Sequence, residues 1–214
     1  MQNKSRAYIF DMDGTLICNT RYHVIAWLEF ARRHGGTITE KQIIDWMGAP
    51  ARYYCQQMFP GLSTDDYQKM THEKEVLYRE IYKPHMRLAD GLRDLLDRAH
   101  AANIPCAVAT GGTTGNVNFI LDGLSIRGDF AAIIDAGCYT RGKPEPDCYL
   151  EAANALKIAP KDCIVFEDAI AGIHAAQAAG MQVIAITSTS SREILSTAHP
   201  TRIIDSFTEL KQLP

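Results

Sequence analysis

The sequence predicts an α/β fold: a parallel sheet flanked by helices, interrupted after its first strand by an all-helical insertion. Three observations carry that prediction. Short apolar runs bounded by turn residues recur along the chain, helical periodicities separate them, and residues 19–83 show helical patterns with no strand among them. The first run, Ala7-Tyr8-Ile9-Phe10, ends at Asp11, Asp13 and Gly14, and residues 106–109, 132–134, 163–166 and 183–186 repeat the pattern. Runs of this kind suit strands buried on both faces. Between them Leu92, Leu95, Leu96 and Ala99 recur at helical spacing, and residues 147–156 and 169–179 are rich in helix formers. Strands alternating with helices imply right-handed crossovers and hence a parallel sheet. Near the end, Ile203-Ile204 precedes Ser206, with Glu209 three residues on. That spacing predicts a capping box and a last helix with Phe207, Leu210 and Leu213 turned inward.

The insertion has helical patterns at residues 22–33, 40–47, 51–59 and 64–82, with Trp27 expected in its core. The expected domains are therefore residues 1–18 with 84–214, and residues 19–83. The junctions, Cys18-Asn19-Thr20 and Lys83-Pro84-His85, lie close to sheet elements and are placed to act as the two hinges of a cap. The run of hydroxyl residues at 187–191 reads as a loop at a strand end.

Composition narrows the function. The 214 residues are 46% apolar and 22% charged, ordinary for a globular protein, which excludes a disordered or fibrous chain. Lys plus Arg number 22 against 25 Asp plus Glu, a net charge of −3 without a basic run, so no nucleic-acid partner is expected. The six cysteines form no C-x-x-C pair, and several sit inside apolar runs, which suits structural thiols. The N-terminal apolar run is too short for a signal peptide, which points to a cytoplasmic protein. The most apolar stretch, residues 169–186, is interrupted by His174, Gln177, Gly180 and Gln182, so no membrane span and no membrane partner are expected.

Asp11 and Asp13 stand two apart after a strand, which places both side chains on one side of the chain. Clustered carboxylates repel one another; a hard divalent ion with oxygen ligands, Mg²⁺ above all, relieves this and draws in a phosphate. Alone, the pair reads equally well as a turn or a helix start. Three further strand ends carry matching groups: Thr110-Gly111-Gly112, Gly142-Lys143-Pro144 and Phe166-Glu167-Asp168. Taken singly these are a loop, a solvated lysine and a helix N-cap. Ligands of open α/β sheets bind outside the carboxyl ends of the strands, where all four segments can converge.

The segments Asp11-Met12-Asp13-Gly14-Thr15-Leu16, Thr110-Gly111-Gly112, Lys143-Pro144-Glu145-Pro146-Asp147 and Glu167-Asp168-Ala169-Ile170-Ala171-Gly172-Ile173 resemble, in this order, the four motifs of the haloacid dehalogenase superfamily of phosphotransferases. The resemblance covers essentially the whole chain and implies a Rossmann-like core with a small helical cap. Tyr22-His23 with Ala26-Trp27 is similar to the β-phosphoglucomutase-like subgroup, which also holds fructose-1-phosphate-type sugar phosphatases, and Trp46-Met47-Gly48-Ala49-Pro50 looks closer to the phosphatases.

The resemblance implies that Asp11 is the nucleophile taking the phosphoryl group and that Asp13 is the general acid and base. Thr110, the Gly111 amide and Lys143 would hold the phosphoryl oxygens. Asp11, the Asp13 carbonyl and Asp168 would bind Mg²⁺, with Glu167 in support of the metal site. His23, Arg52 and Lys74 are the cap residues expected to meet a small phosphorylated metabolite such as a sugar phosphate. Two departures bear on this: Cys18-Asn19 stands where the family shows Asp followed by Ser or Thr, and Gly112-Thr113 stands where the mutase has a basic residue nearby. Both weigh against mutase activity more than against phosphatase activity. The reading is thus a Mg²⁺-dependent phosphatase acting through an aspartyl-phosphate, with a β-phosphoglucomutase-like mutase and a phospho-accepting signalling module as alternatives.

Overall fold

The structure, a computed structural model, describes residues 6–46 and 49–213. Strands β1 (Ala7–Phe10), β2 (Cys106–Ala109), β3 (Ala132–Ile134), β4 (Cys163–Glu167), β5 (Gln182–Ile186) and β6 (Arg202–Ile204) form one parallel sheet in the order β3-β2-β1-β4-β5-β6. The order reverses at β1, so the chain winds outward in one direction and then in the other. Phe10 pairs with Val108 on one side and with Phe166 on the other. The carboxyl ends of β2, β1 and β4 consequently lie side by side, at the place where such sheets bind ligands.

Alternation along β1 separates two cores. Ala7 and Ile9 join Ala107, Ala109, Val165 and Val183 under α7 (Asp147–Leu156) and α8 (Ile170–Ala178), where Tyr149, Ala152, Ile173 and Ala176 close the layer. Tyr8 and Phe10 face an aromatic cluster: the Phe10 ring stacks on Phe166 at 4.7 Å, and Tyr8 meets Phe166 edge-on at 5.6 Å. Phe130 and Phe207 border Phe10 at 6.1 and 6.2 Å. Phe10 and Phe166 have no exposed surface, and truncating either to alanine would cost about 3–5 kcal/mol. Large aromatics on one face and small residues on the other fix which side of β1 each helix can cover.

The chain end differs from expectation. In place of a last helix it makes a single 3-10 turn over Phe207–Glu209. The Glu209 carboxylate accepts from the Asp205 amide at 2.5 Å, one residue before the expected cap, and the Ser206 hydroxyl pairs with Thr208. Helix α5 (Leu92–Ala101) packs on this turn so closely that a Cβ at Gly91 would stand 2.5 Å from the Thr208 nitrogen. Phe207 and Leu210 are buried as expected, while Leu213 is half-buried. Helices α6 (Thr114–Gly123) and α9 (Arg192–Ser196) complete this part, capped by Thr113 and Ser191.

The chain divides into two compact units, Met1–Cys18 with Arg87–Pro214, and Asn19–Met86. The second holds α1 (Thr20–Arg33), α2 (Glu40–Asp45), α3 (Ala51–Met58) and α4 (Thr64–Tyr82). Its core is aromatic: Trp27, buried, stacks on Tyr54 at 4.6 Å, with Phe30, Tyr67 and Leu77 around them. This unit runs past the junction read at residue 83, because Lys83–His85 continue α4 as a 3-10 turn and His85 stacks on Tyr22 at 4.9 Å. The pattern read over residues 40–47 ends as α2 at Asp45; Met47 and Gly48 of the 46–50 stretch lie outside the described residues. Among the described residues no helix is long and apolar enough to cross a membrane.

Candidate active site

The first segment of the site is the turn that ends β1. The Asp11 amide donates to the Phe166 carbonyl at 3.0 Å, and the Thr15 and Leu16 amides donate to the Met12 carbonyl at 3.3 and 2.9 Å. The turn needs glycine at its centre. Gly14 has φ of +80°, and a Cβ there would lie 2.0 Å from Asp168 Oδ2. The missing side chain thus lets the turn and the end of β4 approach, with Asp11 and Asp168 at the same end of the sheet, both buried.

Lys143, in the loop between β3 and α7, reaches this pair of strand ends. Its Nζ donates to Asp11 Oδ1 at 2.6 Å and to Glu167 Oε1 at 2.7 Å, with the Ala109 carbonyl at 3.4 Å. Glu167 is filled on both oxygens. Oε1 also accepts from the Tyr149 hydroxyl at 2.9 Å, and Oε2 accepts from the Asp168 and Ala169 amides at 2.8 and 2.9 Å. Glu167 thus sits against Lys143, its two oxygens accepting from four donors. Burial works against the lysine charge, yet Asp11 and Glu167 hold the ammonium well above its ordinary range.

The end of β2 supplies the third segment. Thr110 is buried, its amide donates to the Ile134 carbonyl at 2.9 Å, and its hydroxyl accepts from the Gly112 amide at 2.9 Å. The Tyr139 hydroxyl donates to the Thr110 carbonyl at 3.1 Å. A Cβ at Gly112 would lie 3.3 Å from the Thr110 hydroxyl and 3.6 Å from Asp13 Oδ2, so Asp13 borders this loop. Asp135 ties the loops after β2 and β3 together, accepting from Thr114 at 2.6 Å and from the Gly137 amide at 2.9 Å. Burial opposes its charge, but hydrogen bonds from Thr114, Gly137 and Cys138 hold its carboxyl below the usual range.

Asp11, Asp13, Thr110, Gly111, Lys143, Glu167 and Asp168 therefore meet at one end of the sheet. Sequence reasoning missed the residues that brace them: Tyr149, Tyr139, Gly172, Thr15, Ser188 and Thr189. Thr15 donates to Asp168 Oδ1 at 3.3 Å. The hydroxyl run at 187–191 follows a strand on the same edge of the sheet, and Thr15 and Gly172 lie inside the motif segments, but none of these positions names its partner.

The donor set of Asp11, Asp168 and the Asp13 carbonyl is all oxygen and suits a hard cation such as Mg²⁺. One ammonium stands among several carboxylates, and burial followed by the neighbouring Glu167 pushes the Asp168 carboxyl up to about 8. A divalent cation beside these carboxylates would favour the ionised form of both. Among the described residues, the carboxylates do not draw together into a ready-made group of three ligands. The residues fit the ion in kind, through their oxygen donors.

In the helical unit the structure brings two of the three expected residues together. Lys74 is 2% exposed; its Nζ lies 3.0 Å from His23 Nδ1 and 2.9 Å from Glu75 Oε1, above the Trp27 ring. His23 stacks on Tyr78 at 3.7 Å. Arg52 stands apart and exposed, 3.3 Å from the Thr64 hydroxyl and over the Tyr67 ring. Asn19 does not cap α1; its side chain is buried and donates to the Tyr78 hydroxyl at 2.5 Å.

The chain resembles known proteins over most of its length. The family model described as haloacid dehalogenase-like hydrolase matches residues 8–186. The fructose-1-phosphate phosphatase YqaB of Escherichia coli is 31% identical over 185 residues, 86% of this chain and 97% of the relative. The β-phosphoglucomutase of Bacillus subtilis is 31% identical over 198 residues, 85% of this chain and 83% of the relative. The crystal structure of a HAD hydrolase, family IA, variant 3, from Entamoeba histolytica superposes with a TM-score of 0.89 at 33% identity, covering 95% of this chain and 94% of that one. The chain belongs to the haloacid dehalogenase-like hydrolases, and it is an enzyme of the phosphoric monoester hydrolase type rather than a signalling module.

Proposed function

We propose that the chain is a Mg²⁺-dependent phosphatase of phosphorylated sugars that works through an aspartyl-phosphate on Asp11. The observation that supports this most is the Lys143 ammonium, held by Glu167 at 2.7 Å and set against Asp11 at 2.6 Å. A cation fixed there meets the oxygens of a phosphoryl group approaching Asp11 without first having to be ordered. When bound, Mg²⁺ would supply charge neutralisation between the entering phosphate and the acidic cluster, held by Asp11, Asp168 and the Asp13 carbonyl.

In the first step an Asp11 oxygen attacks phosphorus, the bond from phosphorus to the sugar oxygen breaks, and Asp13 gives its proton to the leaving alkoxide. In the second, Asp13 takes a proton from water, the water oxygen attacks phosphorus, and the bond to Asp11 breaks to give inorganic phosphate. Thr110 and Lys143 hold the phosphoryl oxygens in both steps. Substrate choice is assigned to side chains of the helical unit, with His23, Lys74 and Arg52 as its candidates.

The test is phosphate release from a panel of hexose, pentose and small alcohol phosphates, with Mg²⁺ and with EDTA. Turnover of sugar phosphates that EDTA abolishes is expected; full activity in EDTA, or no release from any sugar phosphate, refutes the proposal. The identity with the Bacillus subtilis β-phosphoglucomutase favours one second reading, transfer of the phosphoryl group back to sugar. Incubation with β-glucose 1-phosphate and a trace of the 1,6-bisphosphate separates the two. Glucose 6-phosphate forming much faster than free phosphate would establish the mutase.

A further inference from the structure

The loop after β5 carries hydroxyls that the proposed chemistry does not use, and it is fixed at both ends. The Thr187 amide donates to the Ile204 carbonyl at 3.0 Å, and the Thr187 hydroxyl donates to Asp205 at 2.8 Å. At the far end Ser191 caps α9. Held in this way, the loop sets Ser188 and Thr189 against the acidic cluster. The Ser188 hydroxyl donates to the Gly14 carbonyl, and the Thr189 hydroxyl hydrogen-bonds the Asp168 carboxylate. The position is tight: a Cβ at Gly14 would lie 2.6 Å from Thr189 Oγ1 and 2.0 Å from Asp168 Oδ2. Thr15 reaches the same carboxylate from the first turn, at 3.3 Å from Oδ1.

We infer that Thr189 is a positioning residue for cation binding: with Thr15 it fixes the rotation of the Asp168 carboxylate, so that an oxygen faces the Asp11 and Asp13 side of the cluster. This rests on the proposed reading of Asp168 as a cation ligand. A carboxylate on a single side-chain bond is free to rotate, and two hydroxyl donors from separate segments remove that freedom before the ion arrives. Partners of this kind, which touch the ligand and not the metal, typically change metal affinity or activity by about 10- to 100-fold when removed. Ser188 acts one step further back, holding the turn that carries the Asp13 carbonyl.

The experiment is a calorimetric titration of Mg²⁺ into the full-length wild type, T189V and T189S, with kcat and the Mg²⁺ concentration for half-maximal activity measured alongside. T189V keeps the shape and loses the donor, so its affinity for Mg²⁺ should fall by about 10- to 100-fold. Its kcat at saturating Mg²⁺ should change far less, and T189S should recover most of the affinity. If T189V does not fold, T189A carries the same expectation. Equal affinities in wild type and T189V overturn the inference, as does T189S binding as weakly as T189V, which would make the effect one of shape. A wild type that takes up no Mg²⁺ overturns the reading of Asp168 as a ligand, and the inference with it.

Discussion

Replacing Gly172 with alanine tests the anchor of Lys143 with an outcome opposite to the usual one. Inside a helix, glycine to alanine is ordinarily stabilising by about 0.5–1 kcal/mol. Here the Cβ would stand 1.6 Å from Glu167 Oε1 and 1.9 Å from its Cδ. Ordinary contact is about 3.5 Å, so the carboxylate has to retreat by roughly 2 Å. The bonds from Lys143 and Tyr149 to Oε1, at 2.7 and 2.9 Å, would then exceed hydrogen-bond length. Bonds to a charged group are worth about 1.5–3 kcal/mol each, so two lost bonds amount to about 3–6 kcal/mol. Glu167 is 2% exposed, and solvent does not make up the loss. After the helix gain, G172A should be less stable by about 2–5 kcal/mol, which for a chain of this length lowers Tm by roughly 5–20 °C.

Thermal unfolding followed by circular dichroism reads that shift. Phosphate release should fall at least about tenfold at a temperature where the variant is folded, since a loss of about 1.4 kcal/mol in the transition state suffices for it. A G172A protein that melts at or above the wild type, with unchanged turnover, would show that Glu167 can leave its place without consequence and would refute the anchoring argument.

Three further outcomes follow from the same geometry. D11N should lose at least about three decades in kcat, or about 4 kcal/mol of transition-state stabilisation, and retention of a tenth of the activity would exclude the covalent route. Y149F removes one of the four donors to Glu167 and should cost about 1.5–3 kcal/mol in urea unfolding, with a turnover loss smaller than that of G172A; equal stability would mean the hydroxyl carries nothing. Asp135 is held below its unfolded value of 3.8, so its contribution is complete above that pH and is lost as pH falls through the lower folded value. Wild-type stability should therefore drop more steeply than that of D135N below about pH 4, and parallel pH profiles would contradict the assignment.

What was legible in the sequence follows from range. Strands β1, β2 and β3 have the bounds their apolar runs predict; β1 and β2 are buried throughout, and a strand covered on both faces writes its burial into consecutive residues. The convergence of Asp11, Thr110, Lys143 and Asp168 was legible for a second reason: parallel strands place all their carboxyl ends on one edge. The last helix failed because Glu209 has a competing donor in the Asp205 amide, which the spacing from Ser206 does not reveal. Tyr149, Thr189 and Gly172 were out of reach since each works only through a partner on another element; the Thr15 contact to Asp168 spans 153 positions. Lys74 did leave a trace. It shares a stripe of α4 with Tyr67, Leu77 and Tyr78, all buried, and a lysine on such a stripe has to find its partners inside.

The arrangement also explains why the anchor is a second carboxylate. In the proposed reaction Asp11 exchanges its negative charge for a bond to phosphorus, so a lysine held by Asp11 alone would lose its partner as the phosphoryl group arrives. Glu167 keeps its charge throughout and holds Nζ from the side at 2.7 Å. Its own position is set by two backbone amides at the start of the β4 to α8 connection and by a tyrosine on α7 that is itself fully buried. Lys143 therefore remains in place while its other contact changes from a carboxylate oxygen to phosphoryl oxygens. Electrostatic stabilisation of this kind depends on groups that do not reorganise during the reaction. On this account the stability of the fold and the rate share one cause, the burial of Glu167 between α7 and α8. Variants that loosen that carboxylate should lose both together, whereas D11N should lose the rate while keeping the fold.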